Sequence, residues 1–85
     1  MEGTFVVYIL KGPTNKYIGC TSDIGERLRQ HNEGFSVYTK NKGPWALEWQ
    51  SYPLNHSDAL ILEKKLKKQK GGDGLKKLMA IYKGS

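Results

Sequence analysis

Apolar and polar positions are spaced differently from one stretch of the chain to the next, and each change of spacing marks an element. Thr4–Leu10 reads TFVVYIL, an unbroken run of β-branched and aromatic residues, which is strand composition. Lys11-Gly12-Pro13-Thr14-Asn15 is turn material, so the short β-prone stretch Lys16–Cys20 predicts the second arm of a hairpin. Asp23, with Glu26 at capping-box spacing, predicts a helix from about Asp23 to Asn32, ended by Gly34. Phe35–Gly43 is polar and basic and reads as a loop. Trp45–Tyr52 alternates, with Trp45, Leu47 and Trp49 on one side and Ala46, Glu48 and Gln50 on the other, the period of a strand with one buried face. Pro53 stops it. Ser57 is placed to cap a helix from about Asp58 to Lys70, whose buried stripe at roughly 100° per residue is Ala59, Leu62 and Leu66. Gly71-Gly72 breaks that helix, and Asp73 is placed to cap a last one with Leu75, Leu78, Met79 and Tyr82 on one face. The order ββαβαα predicts an α+β domain, a small three-stranded antiparallel sheet with helices packed on it.

Composition narrows the function classes. Eighty-five residues give room for one domain, expected over residues 1–85, and none for a cofactor domain beside a catalytic one. At 38% hydrophobic and 26% charged, the chain is globular material rather than a disordered one. The longest apolar run, Phe5–Leu10, is far short of the roughly 20 residues that span a bilayer, and no basic segment precedes it. No membrane association is therefore expected, and the single cysteine, Cys20, fits a cytoplasmic location. One Cys and two His cannot build the usual four-ligand structural zinc site. The net charge of +6 is compatible with nucleic acid and equally with a lysine-rich surface that serves solubility alone. It is not spread evenly. Lys64, Lys65, Lys67, Lys68, Lys70, Lys76 and Lys77 follow Glu63 with Asp73 the one acid among them, so this stretch carries the whole excess.

Some positions carry chemistry that packing alone does not explain. Glu63 falls roughly 40° from Ala59 around the second helix, inside its apolar arc. A carboxylate there pairs with a lysine such as Lys67, is solvated by a cleft or holds a metal. Arg27 and His31 share one face of the first helix, where a guanidinium can hold a phosphate and an imidazole can relay a proton. Tyr8 and Tyr17 sit in paired strands, either packed across the hairpin or turned to a cleft, and Gly19 marks a place of close approach. Together Tyr8, Tyr17, Arg27, His31 and Glu63 make a sufficient set for metal-assisted phosphodiester hydrolysis.

Val6-Val7-Tyr8, Tyr17-Ile18-Gly19, Arg27 within Glu26-Arg27-Leu28-Arg29-Gln30-His31, and Glu63 within Leu62-Glu63-Lys64-Lys65-Leu66-Lys67 resemble the motifs of the GIY-YIG nuclease superfamily. The likeness is greater to its small stand-alone bacterial members, the excinuclease-like endonuclease domains, and spans about residues 4–80. The resemblance implies a three-stranded antiparallel sheet flanked by helices, and it implies roles. Tyr8 is the base that takes a proton from water, Tyr17 stands near the nucleophile, and Arg27 stabilises the phosphate charge. His31 assists Tyr8, and Glu63 holds one divalent ion, magnesium or alternatively manganese. Val6-Val7 stands where the first motif has Gly-Ile, and no asparagine follows Glu63, where many nucleases of the superfamily carry one.

The reading is thus a metal-dependent endonuclease that cuts DNA hydrolytically, leaving 5′-phosphate and 3′-hydroxyl ends. Lys40, Lys42, Lys67, Lys68 and Lys70 are the candidates for contacts to the backbone, which carry no sequence preference. Trp45 or Phe35 is the candidate for stacking on an unpaired base. A protein partner that directs the enzyme to its substrate is also expected. The alternatives are a nucleic-acid-binding module of the same fold with little activity, and a protein-interaction domain.

Overall fold

The computed structural model describes residues 4–34, 39–69 and 72–84. Its elements run β1 (Val6–Lys11), β2 (Lys16–Thr21), α1 (Ile24–Asn32), β3 (Ala46–Gln50), α2 (His56–Gln69) and α3 (Asp73–Tyr82), the expected ββαβαα order. The sheet is antiparallel throughout, in the order β2-β1-β3. No helix among the described residues is long and apolar enough to cross a membrane.

The central position of β1 explains why its sequence does not alternate. Both of its faces are covered, so apolar side chains are wanted on each. Val7 and Ile9 point to one side and pack with Ala59, Leu62 and Leu66 of α2 and with Trp49. Leu75, Leu78, Met79 and Tyr82 of α3 close that layer, as their spacing predicts. Tyr8 and Leu10 point to the other side, where Ile24 and Leu28 of α1 cover them together with Trp45. Burying each large aliphatic side chain in these layers is worth about 1.5–3 kcal/mol.

The third strand departs from the expected pattern. Ile9 pairs with Trp49, but the next residue, Leu10, pairs with Leu47, so Glu48 is an extra residue on β3. This bulge reverses the side to which the residues before it point. Trp45 therefore packs in the Tyr8 and Leu10 layer and Trp49 in the Val7 and Ile9 layer, not on one common face.

The caps also differ in part. Asp23 caps α1 as expected, its Oδ1 accepting from the Glu26 amide at 3.1 Å. The second helix starts earlier than Ser57 indicates. Asn55 Oδ1 accepts from the Asp58 amide at 2.8 Å, its Nδ2 donates to Asp58 Oδ2 at 3.1 Å, and Ser57 lies inside the first turn. Asn55 and Asp58 satisfy each other reciprocally, which a cap at Ser57 cannot match. Asp73 is the first residue of α3 rather than its cap. Gly72, at φ 84°, precedes it and offers no side-chain cap.

Candidate active site

Strand register builds the site on the α1 side of the sheet. Tyr8 pairs with Gly19 and Leu10 with Tyr17, so both tyrosines and Gly19 share one face of the hairpin. Glycine at that position has a specific cause. A Cβ there would meet Tyr8 Oη at 2.5 Å, Tyr8 Cζ at 2.7 Å and Tyr17 Cε2 at 2.9 Å. The close approach anticipated at Gly19 is thus made by the rings of the two tyrosines.

Helix α1 brings the basic groups over these rings. His31 is 2% exposed, and its Nε2 lies 2.9 Å from the hydroxyl of Tyr8, which is fully buried. Its ring centroid is 4.8 Å from that of Tyr17. One turn back, the Arg27 guanidinium lies against the Tyr8 and Tyr17 hydroxyls, while its Nη1 donates to Gln30 Oε1 at 3.1 Å. Arg29 points elsewhere and pairs with Glu26 and Glu33, consistent with its angular distance from the other two.

Burial dominates the electrostatics of this group. It pushes the Tyr8 hydroxyl up to about 12, against the opposing pull of Arg27, and the charges of Tyr17 and Glu63 add to the rise. Burial likewise lowers His31 below its ordinary value, and the Arg27 charge lowers it further. A cation beside a phenol ordinarily makes it more acidic, but here the net shift of Tyr8 is upward. Desolvation of a fully buried phenolate outweighs one partly exposed guanidinium.

Beyond His31 the structure adds groups that the sequence did not single out. His31 Nδ1 lies 2.7 Å from Oγ1 of Thr39, which is 1% exposed. The Thr39 carbonyl accepts from Trp45 Nε1 at 3.1 Å. Asn32 then clamps the Trp45 backbone, its Oδ1 accepting from the amide at 2.7 Å and its Nδ2 donating to the carbonyl at 3.1 Å. Trp45 is therefore a buried post rather than a platform for a base. Thr39 had no periodicity or motif to mark it.

Glu63 stands on α2 beside the buried stripe, with its side chain 19% exposed and its Oε2 2.8 Å from Lys67 Nζ. The lysine pairing considered from the sequence is thus present. The Glu63 charge still reaches the site. It adds to the effect of burial in raising both Cys20 and Tyr8. Among the described residues no three His, Cys, Asp or Glu side chains converge on a common point. A single partly exposed carboxylate does fit magnesium, which takes one or two protein carboxylates and keeps several waters. Glu63 is the residue that would hold it.

Of the lysines proposed for backbone contacts, Lys40, Lys42, Lys67 and Lys68 are exposed. Lys70 and Phe35 lie outside the described residues. Lys16 and Lys67 rim an open cleft of about 590 Å³ floored by Ile9, Ile18, Leu66 and Leu75, with Tyr17 on its wall.

Residues 4–77 match the GIY-YIG catalytic domain. The chain is 38% identical over 69 residues to a UPF0213 protein of Aeromonas salmonicida (strain A449), a stretch covering 79% of this chain and 51% of that protein. It is 36% identical over 64 residues to a UPF0213 protein of Vibrio campbellii (strain ATCC BAA-1116), covering 73% and 62% respectively. A UPF0213 protein of Photorhabdus laumondii is 36% identical over 68 residues, covering 78% of this chain and 65% of its own length. The chain thus spans between 51% and 65% of the length of these relatives. No solved structure matches it.

Proposed function

Because the chain belongs to the GIY-YIG family, a nuclease-type superfamily that acts on nucleic acid, we propose that it is a metal-dependent endonuclease hydrolysing DNA phosphodiesters. The observation that carries this reading is the meeting of Tyr8, His31 and Arg27 from a strand and a helix. A buried hydroxyl bonds to an imidazole at 2.9 Å with a guanidinium against it. A tyrosine at about 12 is a poor base by itself near neutral pH. Linked to a neutral histidine, it becomes a relay. As water attacks phosphorus, its proton passes to Tyr8 Oη while the Tyr8 proton passes to His31 Nε2. The bond from phosphorus to O3′ breaks, and solvent protonates the departing oxygen. Arg27 offsets the charge that grows on the phosphate. Tyr17, with its ring tilted at 56° to that of His31, walls the site. Magnesium or manganese held by Glu63 would supply Lewis-acid stabilisation of the leaving oxygen. The exposed Lys40, Lys42, Lys67 and Lys68 hold the backbone without reading bases.

The Glu63–Lys67 pair favours a second reading, a binding module whose carboxylate is spent on a lysine. Nicking of plasmid and branched DNA with magnesium, manganese or chelator separates the two. Metal-dependent cleavage that is lost in Glu63→Gln and Tyr8→Phe supports the enzyme. DNA binding with no cleavage under any metal sinks it in favour of the module. Neither binding nor cleavage sinks both and leaves a protein-interaction domain.

A further inference from the structure

We infer that Thr39 is a positioning residue that holds His31 as the Nδ1–H tautomer and so keeps Nε2 open to the Tyr8 proton. The argument starts at the phenol. Tyr8 is fully buried, so its O–H has no solvent to donate to. Two groups meet its oxygen, Arg27 and His31. A guanidinium has five donors and no acceptor, so it can receive no proton from Tyr8. A buried donor left without a partner is costly, and the Tyr8 O–H therefore donates to His31 Nε2. In a neutral imidazole the other nitrogen then carries the hydrogen. That hydrogen is on Nδ1, 2.7 Å from Thr39 Oγ1, which accepts it. Thr39 is itself held in place, with its carbonyl bonded to Trp45 Nε1 and Trp45 clamped by Asn32. The chain of bonds thus runs from the site into the loop before β3.

The consequence for the reaction rests on the nuclease reading, but the tautomer does not. With Nδ1–H fixed, the transfer from Tyr8 to Nε2 needs no prior rearrangement of the ring. Without the threonine oxygen the buried Nδ1–H has no acceptor. The ring proton then moves to Nε2 and points at Tyr8 Oη, where it blocks the transfer.

The test is a nitrogen-15 spectrum of the imidazoles at pH 8. The chain has two histidines, and His56→Ala assigns the signal of His31. The expected wild-type pattern is a protonated Nδ1 and a bare Nε2. Thr39→Ser keeps that pattern, and Thr39→Val moves the proton to Nε2. In the nicking assay kcat falls about a hundredfold in Thr39→Val, the low end of one general acid–base contribution, with KM unchanged. Thr39→Ser restores it. A wild-type spectrum with the proton on Nε2 overturns the assignment without any variant. So does a folded Thr39→Val protein that keeps both the Nδ1–H pattern and the wild-type kcat. If wild type shows no cleavage, the nuclease reading fails, and the spectra still decide the tautomer.

Discussion

Replacing Gly19 with alanine adds one methyl group, and the structure fixes what that group meets. It lands 2.5 Å from Tyr8 Oη, 2.7 Å from Tyr8 Cζ and 2.9 Å from Tyr17 Cε2. Carbon contacts are comfortable at about 3.5–4.0 Å, so the Tyr8 ring must retreat by roughly 1 Å. It has nowhere to go. Its hydroxyl is bonded to His31, which is pinned in turn by Thr39. Overpacking of this kind costs about 1–3 kcal/mol, and loss of the Tyr8 to His31 bond adds about 1 kcal/mol. Against this stands the entropy that alanine removes from the unfolded chain, about 0.5–1 kcal/mol in favour of folding. The overlap wins, and the net loss is about 1–3 kcal/mol. For a domain of this size each kcal/mol moves Tm by about 4–8 °C, so the fall is roughly 5–20 °C.

The matched control is Gly25→Ala in α1, where the nearest atom to the new methyl is Asp23 Oδ1 at 3.7 Å. The same entropy term acts there with no overlap, and alanine is the better helix former. Gly25→Ala should therefore raise Tm by about 2–8 °C. Calorimetry on the two variants reads the signs directly, and plasmid nicking by Gly19→Ala should drop with the displaced tyrosine. A Gly19→Ala protein that melts at or above wild type and nicks normally refutes the placement of the Tyr8 ring across Gly19.

Other outcomes follow from the same geometry. The groups facing His31 are Arg27 on its own helix, Tyr8 on β1, Tyr17 on β2 and Thr39 in the loop. Burial and Arg27 lower its pKa, so kcat should rise as pH climbs through a midpoint below about 6.5 and then level off. A rate that instead keeps climbing toward pH 12 would mean a free tyrosinate base and no relay. Asn32→Ala removes both bonds to the Trp45 backbone, which should cost about 1–3 kcal/mol in urea melts and redshift the Trp45 emission. Unchanged stability would show that the loop is held elsewhere. Lys68→Gln should make the slope of log Kobs against log salt shallower by about 1 for any DNA sequence tested, and a sequence-dependent loss would contradict a backbone contact.

Much of this arrangement was legible because it rests on local rules. The TFVVYIL run, the Asp23 cap and the Ala59, Leu62 and Leu66 stripe each follow from period or cap chemistry, and each lies where the sequence puts it. The pairing of Arg27 with His31 follows from helix geometry. What escaped depends on contacts between distant segments. The bulge at Glu48 has no signature in Trp45–Tyr52, and without it both tryptophans read as one face. Thr39 sits in a polar loop, where nothing separates a solvated threonine from one that holds a buried imidazole. The cap at Asn55 competed with an equally plausible Ser57, and the reciprocal bonds to Asp58 decided it.

The upward shift of Tyr8 bears on why the site is built inside the sheet. An exposed tyrosine beside Arg27 would ionise more easily and act as a base directly. Here β1 is central and its register with Gly19 lets the ring pack against β2, buried in the substrate-free protein. That burial makes the lone tyrosinate scarce. The same burial also removes every competing acceptor for its proton except the imidazole. A hydroxyl with one exit passes its proton in one direction, and the position of that exit is set by α1 and by Thr39. The feature that weakens Tyr8 as a free base is therefore what suits it to be a relay. Variants that open the layer to water, such as Leu28→Ala, should bring the tyrosine pKa down toward 10 in ultraviolet titration while slowing hydrolysis. A faster enzyme with a more acidic tyrosine would reverse the argument.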